Sequence, residues 1–263
     1  LMTFIKRDLA NKILELSQAY ACVLLTGPRQ VGKTTLLRQL MQQNRNYVTL
    51  DDLEERRLAQ QEPATFLAVH ETPLFIYEVQ YAPQLFSYLK IAIDNGAEPG
   101  AFWLSGSQAF RMMALAQESL AGRVAILHMS GLSQHEIYGS GEALPLTIDL
   151  QALKARKEAG QATDRKGMYE RSWRGSLPGY VSGKFKDRNV FYSSYIQTYI
   201  NRDVSELLEP VDKLLFQDFI RAAACRAGQM LNIHDIAQDV GVSDDTAKRW
   251  LRVLEKSDVI FYL

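Results

Sequence analysis

The sequence predicts an α/β fold in which a five-stranded parallel sheet with flanking helices precedes a helical segment and a winged-helix-like domain. Apolar runs alternate with stretches of helical periodicity in the first half of the chain, and the second half is mainly helical. Polar residues follow the apolar runs, as they do where parallel sheets bind ligands. We place domain boundaries at 1–150, 151–210 and 211–263 within the 263 residues.

The predicted elements begin with an amphipathic helix, because apolar residues recur at helical spacing between Ile5 and Leu16. Five short apolar runs then follow, and their continuous apolar character is typical of strands covered on both faces. A helix is expected from Lys33 onward, between the first two of these runs. The predicted strands are 22–26, 47–50, 74–77, 101–105 and 124–129.

Composition narrows the class of protein. Hydrophobic residues make up 47% and charged residues 23% of the chain, which excludes a mostly disordered protein. Lys plus Arg and Asp plus Glu are 30 each, so net charge indicates no polyanionic partner, although 151–210 is the most basic part. The longest runs without a charged residue are 13 residues, too short for a membrane span. The two cysteines have no metal-type spacing, and we expect a cytoplasmic protein without membrane contact.

One motif dominates the sequence. Residues 27–34 read GPRQVGKT and match the phosphate-binding pattern G-x-x-x-x-G-K-[ST] between a predicted strand and a predicted helix. Such a loop curls its backbone N–H groups around phosphate oxygens, Lys33 reaches the β- and γ-phosphates, and Thr34 can ligate Mg²⁺. We therefore predict a P-loop that binds ATP or ADP with Mg²⁺. The predicted nucleotide-binding residues are Gly27, Pro28, Arg29, Gln30, Val31, Gly32, Lys33, Thr34 and Thr35.

The third predicted strand ends in the acidic residue expected near such phosphates. Glu78 is the candidate for polarising the attacking water, and we class it as catalytic together with Lys33. Tyr77 stands where P-loop enzymes usually have a metal-binding carboxylate. Asp51 and Asp52, after the neighbouring strand, are alternative metal ligands. The substitution at Tyr77 predicts slow hydrolysis with nucleotide binding retained.

Four further candidates lie between the end of the fourth strand and the start of the fifth. Ser105, Ser107 and Gln108 can sense the γ-phosphate or orient water, or can simply form a Gly-Ser turn; Ser107 is the catalytic candidate. Arg123 is a candidate for contacting phosphate in the same or a neighbouring subunit, and a structural role at a helix end is the alternative.

The second half contains a long predicted helix and a helix-turn-helix. The helix covers 188–208, and its tyrosine-rich stripe indicates core or lid packing, with stacking of single-stranded bases as the alternative. The helix-turn-helix covers 232–256, in which Lys248, Arg249 and Arg252 could contact DNA. Asp244 and Asp245 in its second helix would repel phosphate, so domain packing or a protein contact is the other interpretation.

These motifs together resemble the prokaryotic predicted ATPases of the AAA superfamily. The resemblance lies in residues 27–35, 73–80, 105–108, 119–123 and 199–204 and in the helix-turn-helix. It implies a five-stranded parallel sheet with the P-loop strand central, and ATPase activity. The family has Asp at the position of Tyr77. It also has a C-terminal domain of unknown function beyond the winged helix, so we expect that a further domain follows in the full protein.

Two functions remain open from the sequence. The first is an ATPase that hydrolyses ATP slowly to drive conformational change, and the intact P-loop and Glu78 favour it. The second is a nucleotide-responsive DNA- or protein-binding module with little or no hydrolysis, favoured by Tyr77 and the helix-turn-helix. In either case a protein partner or a homo-oligomer is a candidate assembly.

Overall fold

A computed structural model gives the fold, and it describes residues 5–41, 44–106, 116, 119–138, 147–159, 163–204, 208 and 212–262. The candidates Ser107 and Gln108 lie outside these ranges.

The five predicted strands are confirmed and form one parallel sheet. The sheet order is β2-β3-β4-β1-β5. The middle strand is therefore β4, and β1 lies between β4 and β5. The resemblance placed the P-loop strand at the centre, whereas the structure places it one position to the side. The strands are β1 (Cys22–Thr26), β2 (Asn46–Thr49), β3 (Leu74–Tyr77), β4 (Phe102–Ser105) and β5 (Val124–His128).

Helices cover both faces of the sheet and make up the second half of the chain. Among the described residues they are α1 (Leu9–Ala19), α2 (Lys33–Leu40), α3 (Leu53–Gln61), α4 (Pro63–Val69), α5 (Leu85–Asp94), α6 (Gln134–Tyr138), α7 (Leu150–Ala159), α8 (Arg165–Arg174), α9 (Pro178–Val181), α10 (Arg188–Tyr199), α11 (Lys213–Ala224), α12 (Ile233–Val240) and α13 (Asp244–Lys256).

Burial of β1 explains its unbroken apolar sequence. Every residue of the strand is buried, and successive side chains point to opposite faces. Cys22 and Leu24 join one apolar core, whereas Val23 and Leu25 join the core on the other face. The strand is thus held from both sides, and the loop that follows it starts from a fixed position.

The long helix predicted for 188–208 is interrupted. The α-helix α10 ends at Tyr199, and Ile200–Val204 form a π-helical turn. Wide turns of this kind shift the side chains that follow and are frequent at functional sites. Tyr199 and Ile200 are buried in a core shared with Phe216 and Trp250, so core packing of the stripe is confirmed here.

The helix-turn-helix is confirmed, with α12 and α13 as its helices. Gly241 adopts the left-handed conformation at the end of α12, and the Ser243 hydroxyl accepts a hydrogen bond from the Thr246 N–H at the start of α13. The described residues after α13 form no strand, so the wing is not confirmed. No helix in the described part of the chain is long and apolar enough to cross a membrane.

Candidate nucleotide-binding site

A cavity of about 640 Å³ opens at the carboxyl edge of the sheet. P-loop residues line it, together with residues from both halves of the chain. Ile5 and Arg7 line it from the segment before α1, and Tyr77 and Glu78 line it from the end of β3. The second half contributes Pro178, Gly179, Ser182, Lys184, Phe185, Thr198 and Arg202.

The P-loop adopts a conformation that depends on its glycines. Gly27 has φ +139°, and a Cβ there would lie 2.1 Å from the Met129 carbonyl oxygen, so only glycine fits. Gln30 and Gly32 have φ values of 61° and 96°, in the left-handed region. Alternation between left-handed and right-handed backbone conformations turns successive N–H groups toward one concave side, which is an anion-binding geometry. The loop leads directly into the N-terminus of α2.

Lys33 lies at the base of this loop. It is 6% exposed, and its Nζ donates hydrogen bonds of 2.7 Å to the carbonyl oxygens of Gly27 and Pro28. The ammonium group is therefore held beneath the loop at the N-terminus of α2. A buried cation beside a helix N-terminus produces a strongly positive site for phosphate.

Arg7 fixes the loop from outside and was not identified from the sequence. Its Nη1 donates to the Val31 carbonyl oxygen at 2.7 Å, and Nη2 donates to the Ser130 carbonyl oxygen at 2.7 Å. Its Nε pairs with Glu136 at 2.8 Å, and both side chains are buried. Because these partners are distant in the sequence, no local pattern signals the role of Arg7.

Tyr77 contacts both Thr34 and Glu78. Both side chains act on the pKa of its hydroxyl, which places them next to it. Burial is the main cause that raises the pKa of the Tyr77 phenol, and the charge of Glu78 raises it further. The phenol therefore remains protonated at neutral pH. It occupies the space between the predicted metal ligand and the predicted catalytic carboxylate.

Glu78 is held in an unusual conformation at the end of β3. Its backbone is left-handed, with φ 58° and ψ 43°, and the residue is 5% exposed. The Gln80 side-chain amide donates a hydrogen bond to its carboxylate. Non-glycine residues seldom adopt this conformation, and those that do are found often at functional sites.

The two aspartates after β2 differ in how available their carboxylates are to a metal ion. Asp52 caps α3, accepting hydrogen bonds from the N–H groups of Glu54 and Glu55 at 2.8 and 3.2 Å. Asp51 is exposed, and its charge contributes to the raised pKa of Tyr77. Asp51 is therefore the better placed of the two for a metal ion.

Ser105 ends β4 beside Tyr77 in the sheet register. It is fully buried, and its hydroxyl has no hydrogen-bond partner within the described part of the chain. A buried hydroxyl without a partner at the carboxyl edge of the sheet marks this position as one that a ligand or water can complete.

Arg123 lies away from the cavity. It immediately precedes β5, whereas the P-loop follows the carboxyl end of the parallel strand β1, so the two lie at opposite edges of the sheet. Its guanidinium pairs with Asp94 at 2.5 and 3.2 Å. The interpretation of Arg123 as a phosphate contact in the same chain is therefore wrong.

Arg202 reaches the cavity from the second half of the chain. It lies in the π-helical turn after α10 and lines the same cavity as the P-loop. The pKa of Tyr81 is raised mainly by burial, and the charges of Arg202 and Arg29 lower it, which places both guanidinium groups near this tyrosine. No local pattern in the sequence signals that Arg202 lines this cavity, because it is distant from the P-loop along the chain.

The donor set is compatible with Mg²⁺ if phosphate and water complete the coordination. The Thr34 hydroxyl and the carboxylates of Glu78 and Asp51 are oxygen donors of the kind that this ion prefers. The described residues contain no group of three His, Cys, Asp or Glu side chains that could hold a metal alone. Mg²⁺ usually keeps several waters and phosphate oxygens, so a partial protein set suffices.

Comparisons with known proteins agree with this geometry. A family model described as an AAA domain matches residues 19–138, and a model described as a domain of unknown function (DUF8612) matches residues 165–263. The Walker-type ATPase PABY2304 of Pyrococcus abyssi has a similar fold, with a TM-score of 0.60, 15% identity, and coverage of 98% of this chain and 91% of that one. Residues 19–138 are therefore similar to AAA domains, and the chain shares the fold of this solved ATPase.

Two mycobacterial relatives share both halves of the chain. The uncharacterized proteins Rv2008c of Mycobacterium tuberculosis and Mb2031c of Mycobacterium bovis are each 29% identical over 260 residues. The alignments cover 97% of this chain and 52% of each relative. The chain thus spans about half the length of these relatives.

Proposed function

We propose that the chain binds ATP with Mg²⁺ in the cavity above the P-loop and hydrolyses it slowly. The observation that carries this proposal is the loop itself, with its left-handed turns and buried Lys33 at the start of α2. Backbone N–H groups at a helix N-terminus recognise phosphate without further side chains. The cavity volume of about 640 Å³ is in the range of small-molecule sites.

Each loop residue has a role in this proposal. Residues 27–32 surround the β-phosphate with N–H groups, Lys33 leaves its loop carbonyls to contact the β- and γ-phosphates, and Thr35 contacts the α-phosphate. The Thr34 hydroxyl ligates Mg²⁺, with Asp51 as a second candidate. When bound, the metal ion neutralises charge between the two terminal phosphates.

Glu78 is the proposed general base. Gln80 holds its carboxylate, and the left-handed backbone directs it into the site. Tyr77 limits the reaction, because it provides no carboxylate for the metal and its hydroxyl engages both Thr34 and Glu78. These contacts must be exchanged before Thr34 and Glu78 can act, which predicts slow turnover. Arg202 lines the cavity from the second half of the chain and is the proposed contact to the terminal phosphate.

A nucleotide-responsive binding module is the second candidate. Both halves of the chain line the cavity, and Arg7 and Arg202 are among the lining residues. A bound phosphate would attract Arg202 and thereby move the π-helical turn that packs against the helix-turn-helix core. Lys248, Arg249 and Arg252 are all exposed on α13, as a DNA contact requires. Asp245 lies 3.8 Å from Lys248 and weakens that surface for phosphate.

Calorimetry with ATP and ADP, followed by phosphate release under excess ATP and Mg²⁺, tests the proposal. Lys33→Ala should weaken nucleotide affinity by tenfold or more, because a buried cation at the phosphates is lost. Lys12→Ala is the matched control, since Lys12 is exposed on α1 and pairs with Glu15 at 2.6 Å. Equal affinity in the wild type and Lys33→Ala would mean that the site is wrongly assigned. Binding without phosphate release would favour the second candidate.

A further inference from the structure

Two aromatic side chains stand exposed on one face of α8, away from the catalytic residues proposed above. Tyr169 is 65% exposed and Trp173 is 66% exposed. Residues four positions apart lie on the same side of a helix, so these two rings are neighbours. We call Tyr169, Trp173 and the adjoining Arg188 the α8 aromatic face.

Arg188 from α10 holds Trp173 in place. Its guanidinium carbon lies 3.7 Å from the centre of the indole ring, and its Nε donates to the Trp173 carbonyl oxygen at 2.6 Å. A guanidinium stacked on an indole is a favourable cation–π arrangement. The ring is therefore oriented, yet most of its surface remains in solvent. An ordered and exposed tryptophan is a ready platform for stacking.

The stretch of chain that carries this face has a net positive charge. Residues 163–192 contain seven Lys or Arg against three Asp or Glu. Asp164 and Asp187 cap the N-termini of α8 and α10, and Glu170 lies 3.8 Å from Lys166. These acidic groups make local contacts, as do Arg171, which stacks on Tyr138, and Arg174, which donates to the Val181 carbonyl oxygen. The stretch as a whole keeps its net positive charge.

This combination favours single-stranded nucleic acid over a protein partner. The centres of protein–protein interfaces are depleted in charged residues, whereas single-strand-binding surfaces combine a basic track with exposed aromatic rings. Every base has a flat face that can stack on such a ring, and the basic groups meet the phosphates. A base pair inside a duplex offers no free face, so a duplex would bind less well.

We propose that the α8 aromatic face binds single-stranded nucleic acid by stacking bases on Tyr169 and Trp173. Arg165, one helical turn before Tyr169, and Arg188 lie on either side of the rings along the chain and meet the phosphates. The stacking and phosphate contacts are common to DNA and RNA, so both should bind. This site is separate from the helix-turn-helix and does not depend on nucleotide hydrolysis.

Tryptophan fluorescence provides a direct readout. The chain has three tryptophans, and Trp103 and Trp250 are only 2% and 3% exposed. Titration with oligodeoxythymidine of about 20 nucleotides should therefore quench mainly Trp173, because bases stack on it. An abasic deoxyribose-phosphate chain of equal length should quench far less. Equal quenching by the two would overturn the proposal.

Affinity measurements with variants test the named residues. Fluorescence anisotropy of the labelled oligonucleotide at low salt should show about a tenfold or larger loss of affinity for Trp173→Ser, and a similar loss for Tyr169→Ser. Phe261→Ser is the matched control, since Phe261 is 79% exposed at a distant position in the sequence. The triple change of Lys248, Arg249 and Arg252 to Ala should also leave affinity unchanged.

Four outcomes of the affinity measurements would also overturn the proposal. They are no oligonucleotide binding at low salt, unchanged affinity in Trp173→Ser and Tyr169→Ser, tighter binding of the equivalent duplex, and a loss confined to the helix-turn-helix triple variant. If Trp173 fluorescence instead changed with protein concentration alone, the face would be a contact between copies of this chain, and the nucleic-acid proposal would be wrong.

Discussion

Nε2 of His128 lies 3.4 Å from a carboxylate oxygen of Asp258, so the last residue of β5 contacts the turn after α13. The other ring nitrogen of His128, Nδ1, lies 3.4 Å from Oγ1 of Thr26. Thr26 immediately precedes the P-loop glycine Gly27. One imidazole ring thus connects the start of the P-loop to the helix-turn-helix.

This connection predicts that Asp258→Asn uncouples α13 from the nucleotide site. Asn tolerates the left-handed backbone at this position, where φ is 58°, and it removes only the charge. The two side chains are 40% and 38% exposed, so stability should change by less than about 1 kcal/mol. Hydrogen exchange with and without ATP should show a smaller change in α13 than in the wild type.

Asp218→Asn serves as the control for this experiment. Asp218 pairs with Arg221 on the surface of α11 at 2.7 Å and does not join α13 to the P-loop domain. If α13 of Asp258→Asn responded to ATP as the wild type does, the His128 contact would have no part in coupling.

Tyr77→Asp should raise ATP turnover by a factor of about ten to a thousand, the effect expected of one electrostatic group in an active site. The new carboxylate can ligate the metal ion, and the change removes the hydroxyl that engages Thr34 and Glu78. Nucleotide affinity without Mg²⁺ should barely change, because the loop N–H groups and Lys33 remain.

Tyr77→Phe separates the loss of the hydroxyl from the gain of a metal ligand. It removes the hydroxyl and keeps the ring, so Thr34 and Glu78 are freed without a new metal ligand. Turnover measured at saturating ATP and Mg²⁺ should lie below that of Tyr77→Asp. Identical rates in the wild type and Tyr77→Asp would show that another group holds the metal.

Glu136→Gln should destabilise the protein by about 3–5 kcal/mol, because it leaves the buried Arg7 without its charged partner. Their side chains are only 7% and 5% exposed, and Glu136 also accepts hydrogen bonds from the N–H groups of Asp8 and Ser133 at 2.9 and 2.8 Å. Urea unfolding of the variant and the wild type measures the difference in their free energies of unfolding. Glu15→Gln breaks an exposed pair with Lys12 and should cost less than about 1 kcal/mol. A similar small loss in both variants would contradict this prediction.

The two cysteines should differ sharply in reactivity. Cys22 is fully buried in β1, and burial raises the pKa of its thiol far above the ordinary value, whereas Cys225 is exposed. Since the thiolate is the reactive form, a thiol reagent at pH 8 should modify Cys225 quickly and Cys22 only after unfolding. Above a pH of about 8.5 the Cys22 thiol ionises in the unfolded chain but not in the folded protein. This residue therefore lowers the free energy of unfolding as pH rises. Cys225→Ser should leave almost no fast reaction, and a persistent fast thiol in that variant would mean that β1 is accessible.

The sheet and the P-loop were predictable because their signals are local. Apolar runs such as 22–26 and 74–77 correspond to β1 and β3, and the motif at 27–34 lies between β1 and α2 as expected. Capping by Ser243 and the turn at Gly241 were likewise visible, since caps and turns depend on neighbouring residues.

The remaining parts of the site depend on contacts between distant segments. Arg7 binds Val31 and Glu136, and their separations of 24 and 129 residues give no periodic signal. Ile200 and Val204 of the π-helical turn that carries Arg202 pack in the helix-turn-helix core, and no local propensity encodes such contacts. The position of Arg123 at the far edge of the sheet followed only from strand direction and register.

The shared walls of the cavity have a consequence for how this protein can evolve. The segment at 19–138 supplies the P-loop and the segment at 165–263 supplies Arg202, so neither encloses the cavity by itself. Recombination that replaced one segment would pair a phosphate loop with an unrelated opposite wall. The two segments should therefore be inherited together, and substitutions around Arg202 should be accepted only when they suit the loop that they face.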